Sequence, residues 1–315
     1  MDAHLRDLRY FLTVAEELSF TRAAERLHLS QPALSKQIQG LERTLRAALF
    51  DRGRRQVRLT AAGEALLAVA RRVLTEWDDG TVEVGDIVAE QLRTLRVGTL
   101  TSIGRTLYRE AVNHFATRRP GWRIELRSFG WGDPTAGLHD HATDVAFLWL
   151  PVDAEDISYH ILLSERRFVT LSNQHRLAHR TTVLFQDLLD EPFVALPHSA
   201  GPLRDFWLGA DQRPDTPVTV VAEVTNADEK LELIASDTAI GLVAESNAAI
   251  YARPDLVSIP VTDLGPAQLA VAHRRGDRRQ AVQAFTLACT DAIRNAYEPA
   301  ANGAEVPAPT KHPAR

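Results

Sequence analysis

The sequence predicts an α/β protein in which a small, mostly helical head precedes a larger body of alternating strands and helices. Three observations lead there. Through residue 92 apolar side chains recur three and four residues apart, the period of an amphipathic helix. From Leu95 onward, short apolar runs bounded by glycine and proline alternate with helical stretches. The charge is divided as well: residues 1–60 hold 11 Lys and Arg against 7 Asp and Glu, and the remainder 25 against 34, within a net charge of −5. A basic head on an acidic body confines any nucleic-acid contact to the head.

In the head, Leu5, Leu8, Leu12, Ala15 and Leu18 form one helical stripe. Thr21 is placed to cap a second short helix that turns Ala24 and Leu27 inward. After a short turn, Ser30 serves as an N-cap and Pro32 sits in the first turn, where a missing N–H costs little. The third helix buries Leu34, Ile38, Leu41 and Leu45 and leaves Gln31, Ser35, Lys36, Gln39 and Arg43 on the other face. Amides read base edges, hydroxyls suit bases or phosphates, and cations suit phosphates or guanine, so this face suits a major groove. Three helices with a short turn before the third make a helix-turn-helix. Residues 49–60 then read as a hairpin wing with Arg52, Arg54, Arg55 and Arg58 available for phosphate or the minor groove.

The run Phe20-Thr21-Arg22-Ala23-Ala24-Glu25-Arg26-Leu27 is followed by Ser30-Gln31-Pro32-Ala33-Leu34-Ser35, Leu41-Glu42, Leu49-Phe50, Arg52 and Leu59-Thr60-Ala61-Ala62-Gly63. In that order these residues resemble the winged helix-turn-helix of LysR-type transcriptional regulators. The resemblance implies contacts to double-stranded DNA from Gln31, Pro32, Ser35 and Lys36, with Gln39, Thr21 and Ser30 beside them and Arg52, Arg54 and Arg55 on the wing. One departure stands out: Arg46 occupies the position where the family usually closes the third helix with glycine.

Residues 61–92 continue as one helix through Leu66, Ala70, Val73, Trp77, Gly80, Val84 and Ile87, on the order of 40 Å long, with Gly80 and Gly85 as weak points. The family resemblance makes this the linker through which homodimers or tetramers form, placing two third helices about one turn of DNA apart.

The body, 93–298, has expected strands at 95–100, 122–129, 144–150, 167–171, 193–196, 218–222, 239–243 and 268–272. Helices are expected at 103–117, 227–236 and 279–296. This order resembles the effector domain of the same family, two lobes of periplasmic-binding-protein type. The first lobe would take 93–164 and 267–298 and the second 165–266, with crossings near 163–167 and 263–267. The tail 299–315, rich in Pro, Ala and polar residues, is expected to be disordered.

In such folds a ligand lies at strand ends, where helix N-termini offer free N–H groups. Thr101 and Ser102 follow the body's first strand; His198 and Ser199 follow a strand of the other lobe; Thr225 and Asn226 open the next helix. Trp131, between two glycines, is placed to stack on a flat ligand or to fill the cleft itself. These seven are the candidate contacts for a small-molecule effector.

Other readings fare worse. His139-Asp140-His141 with His175 and His179 lacks a convincing third and fourth metal ligand, and no cofactor is expected. No G-x-S-x-G, H-E-x-x-H, phosphate loop or G-x-G-x-x-G occurs, so an enzyme has no motif to stand on. No stretch approaches the length of a membrane span and the first residues do not open a secretory signal, which predicts a cytoplasmic protein. The lone Cys289, among apolar neighbours, reads as core. Of 36 basic residues only Lys36, Lys230 and Lys311 are lysines. The remaining alternative is an architectural DNA-binding protein without ligand response.

Overall fold

In the computed structural model the chain divides into two compact units, residues 1–90 and 91–315. The residues described are 4–52, 57–103, 106–213 and 217–297; Arg54, Arg55 and the expected tail lie outside them.

The first unit opens with helices α1 (Leu5–Glu17), α2 (Phe20–Arg26) and α3 (Gln31–Leu45). α1 buries Phe11, Thr13 and Val14, and Leu18 is instead exposed in a left-handed C-cap. Leu8 and Ala15 of the expected stripe pack at the edge of the core of this unit, whose centre shifts to Phe11, with its ring centroid 5.4 Å from that of Phe50. α2 starts two residues earlier than expected: Ser19, not Thr21, accepts the Arg22 N–H. At α3 Ser30 accepts the Ala33 N–H, and Leu34, Ile38 and Leu41 are buried.

Strands β1 (Phe50–Arg52) and β2 (Val57–Leu59) pair antiparallel, with Phe50 opposite Leu59. Helix α4 (Ala61–Gln91) runs unbroken past Gly80 and Gly85. Its Ala70 and Leu74 are buried, while Val69, Val73, Trp77, Val84, Ile87 and Val88 remain exposed along its length.

The second unit begins with β3 (Thr94–Thr99), α5 (Leu107–Arg118), β4 (Arg123–Ser128), β5 (Val145–Leu150) and β6 (Ile157–Glu165). β7 (Arg167–Ser172), β8 (Phe193–Ala195), α6 (Pro202–Leu208), β9 (Val220–Glu223) and α7 (Ala227–Ala235) follow. The chain continues with β10 (Gly241–Ala244), α8 (Glu245–Ile250), β11 (Leu256–Pro260), β12 (Ala267–Arg274) and α9 (Gln280–Tyr297). The first lobe is a five-stranded sheet in the order β4-β3-β5-β12-β6. Every residue of its central strand β5 is buried, as both faces of an inner strand should be. In the second lobe β7 lies between β10 and β11, β8 pairs with β9, and a bridge from Phe193 to Ile240 joins the two small sheets.

The chain passes between lobes where β6 gives way to β7 and again between β11 and β12. Arg167, 1% exposed, donates to the Gly265 carbonyl on the second passage at 2.8 Å and to Phe206 on α6 at 2.9 Å. Asp144 locks the start of β5 through Arg96 and Arg279 at 2.7 and 2.9 Å. Burial works to raise this carboxyl, but the Arg96 hydrogen bonds and the Arg279 charge prevail and hold it below the ordinary range.

Four elements of the body were not expected: β6, β11, the short helix α6 and α8. β6 and β11 lie at sheet edges, where half-exposed positions such as Tyr159 and Ile161 dilute the apolar signal. α8 follows β10 without a side-chain cap at Ala244, so no boundary residue marks it. The helix expected from 103 begins at Leu107, after Thr106 in the left-handed region.

Candidate DNA-binding face and effector cavity

Positions 31, 32, 36 and 39 of α3 are exposed and Ser35 is half-buried, so the front of the helix presents amide, hydroxyl and ammonium groups on one side. Thr21 is exposed in the first turn of α2, and Ser30 is exposed at its cap. The turn between α2 and α3 is closed by His28 in the left-handed region, with the Leu29 N–H bonded to the Ala24 carbonyl at 2.9 Å. Arg46 does the same at the far end of α3 at φ 53°, with the Ala47 N–H bonded to Glu42. The family's usual glycine conformation is thus kept without the glycine.

Glu42 fixes the wing. Its Oε1 accepts the N–H groups of Leu49 and Phe50 at 2.9 and 3.3 Å, so the strand pair is hung from the same helix that carries Gln39 and Lys36. Thr60 Oγ1 donates to Ala48 and accepts from the Gly63 N–H, capping α4 against the wing. Arg52 closes β1.

In the second unit a narrow cavity of about 50 Å³ lies between the lobes, within about 530 Å³ of space that includes its open mouth. From the first lobe come Leu100, Thr101, Trp131 and Trp149; from the second, Leu196, Leu203, Trp207, Lys230, Leu242, Asn247 and Tyr251. Its lining is predominantly apolar with a few polar groups, the composition of a small-molecule site. Trp131 is a buried wall, its Nε1 donating to the Leu100 carbonyl at 3.1 Å and its backbone N–H to Thr225 at 2.8 Å. Trp149 Nε1 donates to Thr101 Oγ1 at 3.2 Å, and the Trp149 and Trp207 rings meet edge to face at 6.1 Å. Across the lobes, Asn247 Nδ2 donates to the Ser102 carbonyl at 3.1 Å and the Ser102 N–H to Tyr251 Oη at 3.2 Å.

Of the seven expected contacts, Thr101 and Trp131 line this cavity. Ser102 borders it through its backbone. The other four are not among its lining residues. His198 is exposed and pairs with Glu223 at 3.2 Å. Ser199 is exposed opposite Gly132. Thr225 is bonded to Glu229, and Asn226 is the N-cap of α7, so both are spent on starting that helix.

The second lobe's polar side chains lining the cavity are Lys230, Asn247 and Tyr251, none of which sequence reasoning singled out. Lys230 follows Asp228 and Glu229 and reads as surface, yet it is buried, because position 230 is on the face of α7 that Leu231 and Ile234 also turn inward. That helical spacing was the available signal.

Comparison with known proteins agrees with this architecture. Residues 5–64 match the description "Bacterial regulatory helix-turn-helix protein, lysR family", and residues 89–294 match "LysR substrate binding domain". The Hca operon transcriptional activator HcaR of Escherichia coli is 30% identical over 290 residues, covering 89% of this chain and 95% of that protein. The regulator BenM of Acinetobacter baylyi is 31% identical over 277 residues, 85% of this chain and 89% of that one. A crystal structure of full-length BenM superposes with a TM-score of 0.51 at 28% identity, covering 94% of this chain and 97% of that chain. With the two family descriptions spanning head and body in order, the chain belongs to the LysR family of DNA-binding transcriptional regulators.

Proposed function

We propose that a small-molecule effector occupies the interlobe cavity and that its occupancy changes how the heads of an oligomer engage paired DNA half-sites. One observation supports this most directly: both lobes wall one cavity and bond across it through Asn247, Tyr251 and Ser102. A ligand seated between them must alter those bonds, and with them the lobe separation. Base contacts come from Gln31, Pro32, Ser35, Lys36 and Gln39, backbone contacts from Thr21, Ser30, Arg52, Arg54 and Arg55. The protein acts in the cytoplasm, needs no cofactor and performs no catalysis. No helix among the described residues is long and apolar enough to cross a membrane.

Footprinting of the full chain on genomic fragments, with and without a metabolite panel, tests the reading. The expected result is a protected site whose length or bend changes with one class of compound. A site that never changes despite measured binding in the cavity would overturn it. Lys36→Ala should erode discrimination between sites, whereas Arg55→Ala should weaken all DNA and reduce the salt slope by about one. Equal losses on specific and random DNA for both variants would refute the contact assignment.

A further inference from the structure

The fold makes room for one cation inside this cavity. Gly241 on β10 has no side chain where a Cβ would stand 2.5 Å from Lys230 Cε. The Lys230 amine donates to the Leu242 carbonyl at 2.7 Å and lies 5.7 Å from the Trp131 ring centroid. An ammonium carries three donors, so that carbonyl uses only part of its capacity. Tyr251 Oη accepts from Ser102, which leaves its own hydrogen to donate. Among the described residues lining the cavity none is acidic. An ammonium in such a space calls for a ligand that brings negative charge and acceptor atoms, and three tryptophans call for a flat apolar body.

We propose that the cavity selects a small, flat hydrophobic acid, its carboxylate received by Lys230 Nζ and Tyr251 Oη and its ring held among Trp131, Trp149 and Trp207. The proposal rests on the effector reading above and adds the effector's chemical class.

Binding is then coupled to a proton. Burial pushes Lys230 down to about 7, so near neutral pH the empty cavity holds a mixture of amine and ammonium, and a bound carboxylate favours the ammonium. The other titratable side chain lining the cavity is Tyr251. Of the strands packed near α7, β7 carries Arg167, bonded to the Gly265 and Phe206 carbonyls, and β8 and β10 carry no ionisable side chain. On α7 itself Asp228, Glu229 and Glu232 are exposed. Acid affinity should therefore be nearly flat below pH 7 and weaken about tenfold per pH unit above it.

Calorimetric titration of the full chain with benzoate, 2-naphthoate and cyclohexanecarboxylate, each paired with its primary amide, tests this across neutral to alkaline pH. At least one acid should bind at least about tenfold tighter than its amide, taking up close to one proton above pH 7. Lys230→Met should abolish both the preference and the pH slope while retaining a cooperative melt. Tyr251→Phe, which leaves the lysine in place, should weaken the acid and spare the amide. Absence of binding by every acid, equal affinity for acid and amide, or an unchanged pH profile in Lys230→Met would overturn the proposal. So would a borohydride-trapped adduct of Lys230 with benzaldehyde where benzoate does not bind, since the amine would then act as a nucleophile. The two readings fail separately: an acid that binds as described but leaves the footprint unaltered refutes the effector reading alone, and a footprint that answers only to a neutral cavity ligand refutes the acid alone.

Discussion

Lys230 is held at a cost that pH should reveal. Its ammonium gives up a proton at about 7 in the fold against 10.5 ordinarily, so between those values the unfolded chain binds a proton that the folded chain does not. Stability from this group is complete above the ordinary value and is lost as pH falls to about 7, a swing of roughly 5 kcal/mol at most. Lys230→Met removes the swing. Its melting temperature should exceed that of the parent near pH 7, and the difference should shrink as the pH approaches 10. Arg46 is a second residue held against its preference, at φ 53° in the left-handed region. Arg46→Gly should raise the stability of the head by up to about 1 kcal/mol, read from a thermal melt. A loss instead would show that the arginine side chain contributes more than its backbone conformation costs.

At the scale of elements, the wing and α4 meet with no room to spare. A Cβ on Gly63 would lie 2.2 Å from the Leu49 carbonyl oxygen and 2.9 Å from Leu59. Gly63→Ala must push the wing off Glu42, and should cost roughly 1–3 kcal/mol and a large part of DNA affinity, measurable by denaturation and gel shift. Ser30, Pro32 and the apolar stripe of α3 were legible because local chemistry dictates each one, a cap, a first-turn proline and a 3.6-residue period, whereas Gly63 was marked only by the family resemblance. Buried strands were legible for a similar reason, since a strand such as β5 writes itself as an unbroken apolar run. The polar lining of the cavity was less so: Thr225 and Asn226 are engaged at the start of α7, and the burial of Lys230 was signalled only by its helical spacing from Ile234. α8, which brings Asn247 and Tyr251 to the cavity, carries no boundary signal at all.

Over the whole molecule, the exposed apolar line on α4 is the feature that a solitary chain does not explain. Trp77 is 52% exposed and Val84 62%, in the helix that the sequence assigns to oligomerisation. Removing such area from water is worth about 25 cal/mol per Å², so a paired helix gains where a single one does not. Trp77→Glu together with Val84→Glu should shift sedimentation toward the monomer and weaken binding to paired half-sites more than to a single one; an unchanged sedimentation profile would contradict this. The scarcity of lysine has a practical consequence of another kind. Lys36 stands exposed on the helix front, and Lys230 lines the open-mouthed cavity with a partly uncharged nitrogen. An acylating reagent that attacks only neutral amines would therefore modify a very short list of places, resolvable by peptide mass. On the contacts proposed above, shielding of Lys36 would register operator occupancy and shielding of Lys230 would register cavity occupancy, so one acylation reads both sites without an engineered probe.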